Sequence, residues 1–279
     1  MFNGIFARLL NNAASNLTEH RGWRGDDRQQ AGVSVEIVGL DKSFNGVPVL
    51  KNINLKVEAG ETFSIIGPSG TGKSLLLKHI VKLQKPDRGQ IFIDGDDIHA
   101  GQPGTPRPAY RYSMVFQSSA LFNSLSVGEN VGLWLRENRV CKESEIREII
   151  SEKLQMVGLQ GREQMPIAEL SGGMKKRVAI ARSLAMNPDL ILYDEPTAEL
   201  DPVTADDLAD LIQSLKASVR LTSVIVSHDL NFALYLSDRV AMMHDGEIIE
   251  IGTPDQIKNS TNPLVRRFIY TTTKGISKG

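Results

Sequence analysis

One segment of eight consecutive residues constrains this chain more than any other. It matches the phosphate-binding pattern G-x-x-x-x-G-K-S/T at every fixed position with Gly67, Pro68, Ser69, Gly70, Thr71, Gly72, Lys73 and Ser74. An apolar run ends at Ile65-Ile66, and a helical pattern opens at Leu75-Leu76-Leu77. The segment is therefore predicted to be a glycine loop that joins a strand to a helix.

The predicted geometry of this glycine loop (67–74) favours an anion. Glycines let successive backbone N–H groups point inward, and the N-terminus of the helix adds partial positive charge. Lys73 is expected to reach the β- and γ-phosphates of a nucleoside triphosphate, and the Ser74 hydroxyl is expected to ligate Mg²⁺. The alternative is an ordinary glycine turn that caps a helix, which the flanking strand and helix patterns make less favourable.

The bulk composition excludes several classes of protein. The 279 residues suffice for one large α/β domain or two small ones. With 32 Lys and Arg against 33 Asp and Glu, the net charge of -1 provides no overall attraction to nucleic acid or to an anionic membrane. The single cysteine, Cys141, excludes an internal disulfide and fits a reducing compartment. No apolar run approaches the ~20 residues of a membrane-spanning helix.

The patterns along the chain predict an α/β domain between two tails. Residues 33–117 and 188–255 read as a core, because apolar strands alternate with helices and indicate a mostly parallel sheet. Early alternating strands, such as Ile53-x-Leu55-x-Val57, add an antiparallel β edge subdomain. Residues 118–187 form a predicted helical subdomain inserted into this core.

The two tails allow more than one interpretation. Residues 1–32 begin with apolar side chains at helical spacing and continue with polar ones. They are interpreted as a flexible tail or as a short amphipathic helix that touches a membrane or a partner. Residues 256–279 form a C-terminal tail, whose apolar segment 263–269 packs on a sister subunit, on a small regulator or, in the favoured alternative, on the chain's own core.

A second chemical motif follows four apolar residues, Leu190–Tyr193. Asp194 and Glu195 come directly after this strand and are expected at the carboxyl edge of the sheet, where phosphate loops lie. This is the Walker B arrangement, in which Asp194 holds Mg²⁺ through water and Glu195 faces the attacking water as general base. An ordinary acidic strand end is the alternative, and the presence of the glycine loop in the same chain argues against it.

A third motif, Leu170-Ser171-Gly172-Gly173-Met174-Lys175-Lys176-Arg177, lies shortly before the Walker B strand. With the glycine loop, Gln117, Asp194-Glu195 and His228 in this order, the chain resembles an ABC transporter ATPase subunit from residue 34 to about residue 255. The resemblance implies a P-loop NTPase-like fold and two subunits that face each other head to tail, with ATP at each interface. It also implies an integral-membrane permease as partner.

The resemblance assigns further residues to this ATPase site. Ser171, Gly172 and Gly173 would contact the γ-phosphate held by the other subunit, and Asp201 would lie in a loop that crosses the interface. Gln117 would touch Mg²⁺ or the attacking water, while His228 would bond the γ-phosphate and position Glu195. Phe44 matches the aromatic that stacks on adenine. By itself, His228 would more often be a structural histidine, and its place after Walker B reverses this expectation. Phe44 is explained equally well as a packed edge-strand aromatic.

Finer features indicate a subgroup. Met174 followed by Lys175-Lys176-Arg177, together with residues 120–127, is similar to the ATPases of Mce/Mla-type lipid transporters. This implies phospholipid as the transported substrate, a lipid-binding Mce-domain protein and a small regulator as partners, and a position on the cytoplasmic face of the inner membrane. Glu199 departs from the family, which usually has a small residue there.

Other functions stay open. An ATPase of a small-solute ABC importer and a soluble ABC ATPase of a cytosolic assembly system both fit the motifs. A nucleic-acid repair ATPase is disfavoured by the net charge and by the lack of a long coiled-coil insertion.

Overall fold

The computed structural model describes residues 32–100 and 110–274. Within these ranges the strands are β1 (Val35–Phe44), β2 (Val47–Val57), β3 (Thr62–Ile66), β4 (Arg88–Ile93), β5 (Asp96–Asp97), β6 (Tyr112–Val115), β7 (Leu190–Asp194), β8 (Thr222–Ser227), β9 (Arg239–His244) and β10 (Glu247–Gly252). The helices are α1 (Lys73–Ile80), α2 (Val127–Glu137), α3 (Glu143–Met156), α4 (Gly172–Ala185), α5 (Pro202–Ser218), α6 (Leu230–Leu236), α7 (Pro254–Lys258) and α8 (Pro263–Lys274). The predicted N-terminal tail, apart from its last residue, lies outside the described residues.

The strands form two sheets. The larger has the order β10-β9-β3-β8-β7-β6, and the smaller has the order β2-β1-β4-β5. In the larger sheet β3 pairs in parallel with β8 and β9, while β10 is antiparallel to β9. All pairs of the smaller sheet are antiparallel. The predicted fold class, a mostly parallel sheet with an antiparallel edge and a helical part, is confirmed.

The described chain forms two compact units. The glycine-loop unit contains residues 32–100, 192–195 and 222–274, and the signature unit contains residues 110–191 and 196–221. The division of the sequence into tails, core and helical subdomain stays a prediction.

The glycine-loop unit is built around strands that are buried on both faces. Every residue of β3 and β8 is buried, which explains why both strands are uninterrupted apolar or small-residue runs. Helix α1 begins at Lys73, directly after the glycine loop, and ends at Ile80. The sequence pattern predicts a helix that extends to Leu83. The helix is shorter because Lys82 adopts a left-handed conformation, with φ of 59°, which a right-handed helix cannot contain.

The C-terminal segment packs on the unit's own core. Val265 and Phe268 of α8 lie in a cluster of buried side chains with Ile66, Leu230 and Met242. This packing agrees with the favoured alternative for residues 263–269 and leaves Leu264 and Tyr270 on the exposed side of the helix. None of the helices within residues 32–100 and 110–274 is long and apolar enough to cross a membrane.

In the signature unit, α2, α3 and α4 pack against one another, and β6 packs against α4. Local chemistry determines where these helices start. Ser126 and Glu129 form a capping box at the start of α2, in which the Ser126 hydroxyl accepts the backbone N–H of Glu129. Helix α4 begins directly after Ser171, and α5 begins with Pro202 after its cap Asp201.

Candidate active site

The glycine loop follows the carboxyl end of β3 and depends on glycine at two positions. Gly67 has φ of 150°, and a Cβ atom there would lie 2.1 Å from the carbonyl oxygen of Met243. Gly72 has φ of 102°, and a Cβ atom there would lie 2.7 Å from Cδ2 of Leu50. Any larger residue would displace backbone or core atoms, so the loop conformation requires these glycines.

Lys73 lies inside the curve of this loop. Its Nζ donates to the carbonyl oxygens of Gly67 at 2.9 Å and Pro68 at 3.0 Å. The side chain is 5% exposed, and burial lowers the pKa of its ammonium group, against the opposing effect of Glu195. The loop therefore holds a buried, orientable cation at its centre, suited to phosphate oxygens.

Ser74 and Asp194 form a pair of oxygen donors. The Ser74 hydroxyl donates to Oδ1 of Asp194 over 2.5 Å. Burial raises the pKa of Asp194, and the hydrogen bond from Ser74 and the nearby Lys78 oppose that shift. A hydroxyl and a carboxylate are hard oxygen ligands of the kind that Mg²⁺ prefers, with water and phosphate oxygens completing its octahedron. The pair fits a magnesium ion on these grounds.

Among the described residues, no group of three His, Cys, Asp or Glu side chains is arranged to hold a metal ion.

Glu195 is held in one orientation from several sides. Its Oε2 lies 2.7 Å from Nδ1 of His228 and accepts the backbone N–H of His228 at 3.0 Å. Its Oε1 lies 3.6 Å from Nζ of Lys73. Because an ionised carboxylate only accepts hydrogen bonds, Nδ1 of His228 is the donor in this contact.

The backbone at Glu195 is strained. Its φ is 47°, a left-handed conformation that costs a residue with a Cβ atom about 1–2 kcal/mol. The backbone N–H of Glu195 donates to the carbonyl oxygen of Val226 on β8, which holds the strained residue in place. Strain of this kind persists where the surroundings over-determine it, and it is common at catalytic positions.

The signature residues begin helix α4. The hydroxyl of Ser171 accepts the backbone N–H of Met174 at 3.3 Å and caps the helix. Ser171 and Gly172 are exposed, so the first turn of α4 presents its N-terminus to solvent. At Gly173 a Cβ atom would lie 2.4 Å from Cγ2 of Thr204, so this glycine allows α5 to approach closely.

Asp201 and Glu199 lie on the loop before α5. Both carboxylate oxygens of Asp201 accept hydrogen bonds from Thr204, which lower the pKa of Asp201. Glu199 is exposed and has φ of 68°. A left-handed backbone favours glycine at this position, which is a physical reason for the small residue usual in the family.

Two further predicted site residues are exposed. Gln117 follows β6, and its backbone oxygen accepts a hydrogen bond from Lys176. Phe44 ends β1, is 43% exposed and has Nζ of Lys42 at 5.4 Å from its ring centroid. Asn45 and Gly46, both at positive φ, form the hairpin turn beside Phe44.

The structure therefore brings Lys73, Ser74, Asp194, Glu195 and His228 together in the glycine-loop unit. The signature residues, Gln117 and Asp201 belong to the signature unit. Sequence reasoning names Lys176 only as part of a motif and does not single out Arg182, and it missed that both are buried on α4. Basic residues on a helix normally indicate an exposed face, and no periodic pattern marks these two as buried.

The arrangement satisfies the requirements of phosphoryl transfer to water. A cation faces the phosphates, an oxygen pair suits Mg²⁺, and a fixed carboxylate lies beside both. Catalysis of this reaction consists mainly of positioning and electrostatic stabilisation, which these groups supply. The fold and the site thus define a nucleoside triphosphatase.

Comparisons with known proteins narrow this class. A family model described as ABC transporter matches residues 50–198. The chain belongs to the ABC transporter family, as an ATP-binding subunit whose activity is ATP hydrolysis coupled to transport.

Individual relatives agree with this family. The probable ribonucleotide transport ATP-binding protein mkl of Mycobacterium leprae is 40% identical over 246 residues, which are 88% of this chain and 71% of that protein. The chloroplastic protein TRIGALACTOSYLDIACYLGLYCEROL 3 of Arabidopsis thaliana is 37% identical over 275 residues, 93% of this chain and 79% of that protein. A solved dimeric ATP-binding cassette in a post-hydrolysis state, bound to ADP and Pi, is 34% identical with a TM-score of 0.71 and covers 79% of this chain and 98% of its own.

Proposed function

We propose that this chain energises a phospholipid transporter of the Mce/Mla type. Two copies pair head to tail and bind ATP between them on the cytoplasmic face of the inner membrane, where they drive an integral-membrane permease. A lipid-binding Mce-domain protein and a small regulator are the further partners of this assembly.

One observation carries the catalytic part of the proposal. Glu195 is fixed by His228 beside Lys73 and the Ser74–Asp194 pair, all within the glycine-loop unit. The signature residues Ser171, Gly172 and Gly173 do not belong to that unit. A second copy of the chain would supply them, and the dimeric relative supports this arrangement.

The proposed mechanism assigns each group one task. Lys73 and the loop N–H groups hold the β- and γ-phosphates, and Phe44 stacks on the adenine. Ser74, Asp194 and Gln117 would hold Mg²⁺, which neutralises phosphate charge when bound. Glu195 accepts the proton of the attacking water, while His228 keeps the carboxylate oriented and bonds the γ-phosphate.

The lipid substrate is supported by the sequence subgroup and by one relative. The Arabidopsis relative is named after a galactolipid, and Met174 with the basic run after it is similar to the lipid-transport subgroup. The printed name of the mycobacterial relative favours a second candidate, an ATPase of a small-solute transporter.

The test of the substrate uses the integral-membrane permease that co-purifies with this chain in detergent. The full-length chain and the detergent-purified permease are reconstituted with phospholipid, and ATP turnover is measured. Stimulation that requires phospholipid supports the proposal. Stimulation that requires an added nucleotide as substrate instead of phospholipid would contradict the proposal. Co-purification of the chain with cytosolic proteins alone would also contradict it.

The head-to-tail pairing has a test of its own. Ser171→Arg in one copy of a mixed dimer is expected to impair the ATP site whose glycine loop lies in the other copy, because arginine would obstruct the contact with the γ-phosphate. Photo-crosslinking of radiolabelled ATP to distinguishable copies measures which site is lost. Loss of the variant copy's own site would show that the pairing is wrong.

A further inference from the structure

The segment that contains Gln117 has an unusual backbone. Residues 116–126 connect β6 to α2 without regular helix or strand. Within it, the consecutive residues Ser119 and Ala120 both adopt left-handed conformations, with φ of 61° and 46°. Residues with a Cβ atom rarely adopt this conformation singly, and two in succession require support from their surroundings.

Two buried cations of α4 supply that support. Nζ of Lys176 donates to the carbonyl oxygen of Gln117 over 2.5 Å. Nη2 and Nη1 of Arg182 donate to the carbonyl oxygens of Ser119 and Ala120 at 2.9 Å and 2.8 Å. Three carbonyl groups of one short turn are thus bound by two side chains of a single helix.

Both side chains are almost fully buried, with Lys176 4% and Arg182 3% exposed. Burial lowers the pKa of Arg182 to about 10, so the guanidinium remains charged at neutral pH. Apolar side chains of similar volume would fill the same space without the cost of removing a charge from water. Unlike apolar side chains, these two side chains donate directional hydrogen bonds, and the rigid guanidinium fork is suited to two neighbouring carbonyl oxygens.

The far end of the segment is held as well. The buried side chain of Asn130 accepts the backbone N–H of Phe122 at 2.8 Å and donates to the carbonyl oxygens of Phe122 and Ser126. The backbone between Gln117 and α2 is therefore bound at both ends by side chains of neighbouring helices. We therefore expect this segment to be a rigid connection between β6 and α2.

We propose that Lys176 and Arg182 are positioning residues that fasten Gln117 and the turn after it to the helix that begins at the signature. Gln117 and Ser171 then move as parts of one body. The consequence for catalysis rests on the proposed function, in which Gln117 acts at Mg²⁺ or the attacking water. Loss of the fastening lowers the rate of the chemical step and spares nucleotide binding by the glycine loop.

The experiment compares four variants of the full-length chain. Arg182→Met and Lys176→Met remove one cation each and keep an apolar stem. Arg182→Lys keeps the charge but not the fork. Arg177→Met is the matched control, because Arg177 lies on the same helix and donates to the carbonyl oxygen of Val157, outside the segment.

Hydrogen–deuterium exchange of peptides that span residues 116–122 is the first measurement. The amide of Ser119, which donates to the carbonyl oxygen of Phe116, reports opening of the turn. In Arg182→Met we expect exchange here to accelerate by about tenfold or more, since hydrogen bonds from a charged group are lost. Arg182→Lys is expected to recover part of this protection, and Arg177→Met to match the parent chain.

Kinetics is the second measurement. In Arg182→Met and Lys176→Met we expect kcat to fall by about tenfold or more, because small displacements of a reacting group are costly. The affinity for ADP is expected to stay within about twofold, because the substituted residues belong to the signature unit and not to the glycine-loop unit. If Arg182→Met does not fold, Arg182→Lys and Lys176→Met carry both measurements.

Two results would overturn the inference. One is unchanged exchange at residues 116–122, or equal acceleration in the Arg177→Met control. The other is an unchanged kcat in Arg182→Met and Lys176→Met. A loss of ADP affinity as large as the loss of kcat counts in the same way, because it would indicate a general structural defect. Exchange is measured without catalysis, so it reports on the fastening even if the proposed role of Gln117 fails.

Discussion

Replacement of Glu195 by glutamine tests the catalytic assignment most directly. Glutamine has nearly the same shape, and its Oε1 can still accept the backbone N–H of His228, which lies 3.0 Å from the present carboxylate. It cannot take a proton from water at neutral pH. The substitution therefore removes the base and leaves the architecture of the site in place.

The expected loss of turnover follows from the role of a general base. Such a group contributes about 10²–10⁴-fold, so the barrier should rise by about 3–5 kcal/mol. Nucleotide binding should respond in the opposite direction. The Oε1 atom of Glu195 lies 3.6 Å from Nζ of Lys73, and a carboxylate there repels phosphate oxygens that approach the same ammonium group. Its removal is expected to preserve or strengthen ATP affinity.

Stability of the free chain provides an internal check. Breaking a buried ion pair commonly costs about 3–5 kcal/mol, and the cost here should be smaller because Asp194 also faces Lys73. We therefore expect Glu195→Gln to lower the Tm of the free chain and to show a larger rise of Tm on addition of ATP.

The assay combines phosphate release at saturating MgATP with thermal unfolding at several ATP concentrations. Glu247→Gln is the matched control, because it removes an exposed carboxylate from the same unit and should leave turnover unchanged. Turnover of Glu195→Gln within about threefold of the parent chain would refute the base assignment, since even a weak general base contributes more. Loss of ATP binding would refute the electrostatic reasoning.

Three further predictions concern the supports of the site. Burial raises the folded-state pKa of Asp194, so the free chain loses stability as pH rises through that pKa. Asp194→Asn should therefore raise the Tm of the free chain at pH 7 and abolish the Mg²⁺-dependent part of its stabilisation by ATP. An unchanged Tm would contradict this prediction. Gly72→Ala should destabilise by at least about 1 kcal/mol in urea unfolding, because its Cβ atom would lie 2.7 Å from Leu50; equal stability would show that the loop relaxes freely. Phe268→Ala should cost about 3 kcal/mol by the same method if α8 belongs to the core, whereas a cost below about 1 kcal/mol would show that α8 is loosely attached.

Much of the fold can be predicted from the sequence because local residue preferences agree with the overall arrangement of strands and helices. Strand β7 is apolar throughout and ends at Asp194, and Ser126 with Glu129 specifies the start of α2. For α1 the sequence pattern predicts an end at Leu83, beyond the observed end at Ile80. Periodicity continues through Lys82, whose left-handed backbone carries no signal in residue type.

In the candidate site, too, some residues can be predicted from the sequence and others cannot. Lys73 and Asp194 are marked by motifs whose spacing encodes their chemistry, so the sequence indicates them directly. The contact between Glu195 and His228 joins residues from the ends of two different strands, and it is expected only through family resemblance. The contacts of Lys176 and Arg182 were missed because their acceptors are backbone carbonyl groups, and any residue type provides these.

The geometry of Ser171 allows one side chain both to cap helix α4 and to bind a phosphate. Its hydroxyl oxygen accepts the N–H of Met174 and so stabilises the start of α4. A hydroxyl group also has one O–H donor, which this cap does not use. Ser171 can therefore donate to a phosphate oxygen without giving up the cap, and the two hydrogen bonds polarise the hydroxyl in the same direction. Threonine would keep the hydroxyl but add a methyl group, and alanine would lose both bonds, so serine is the residue that suits a helix start that must also bind an anion.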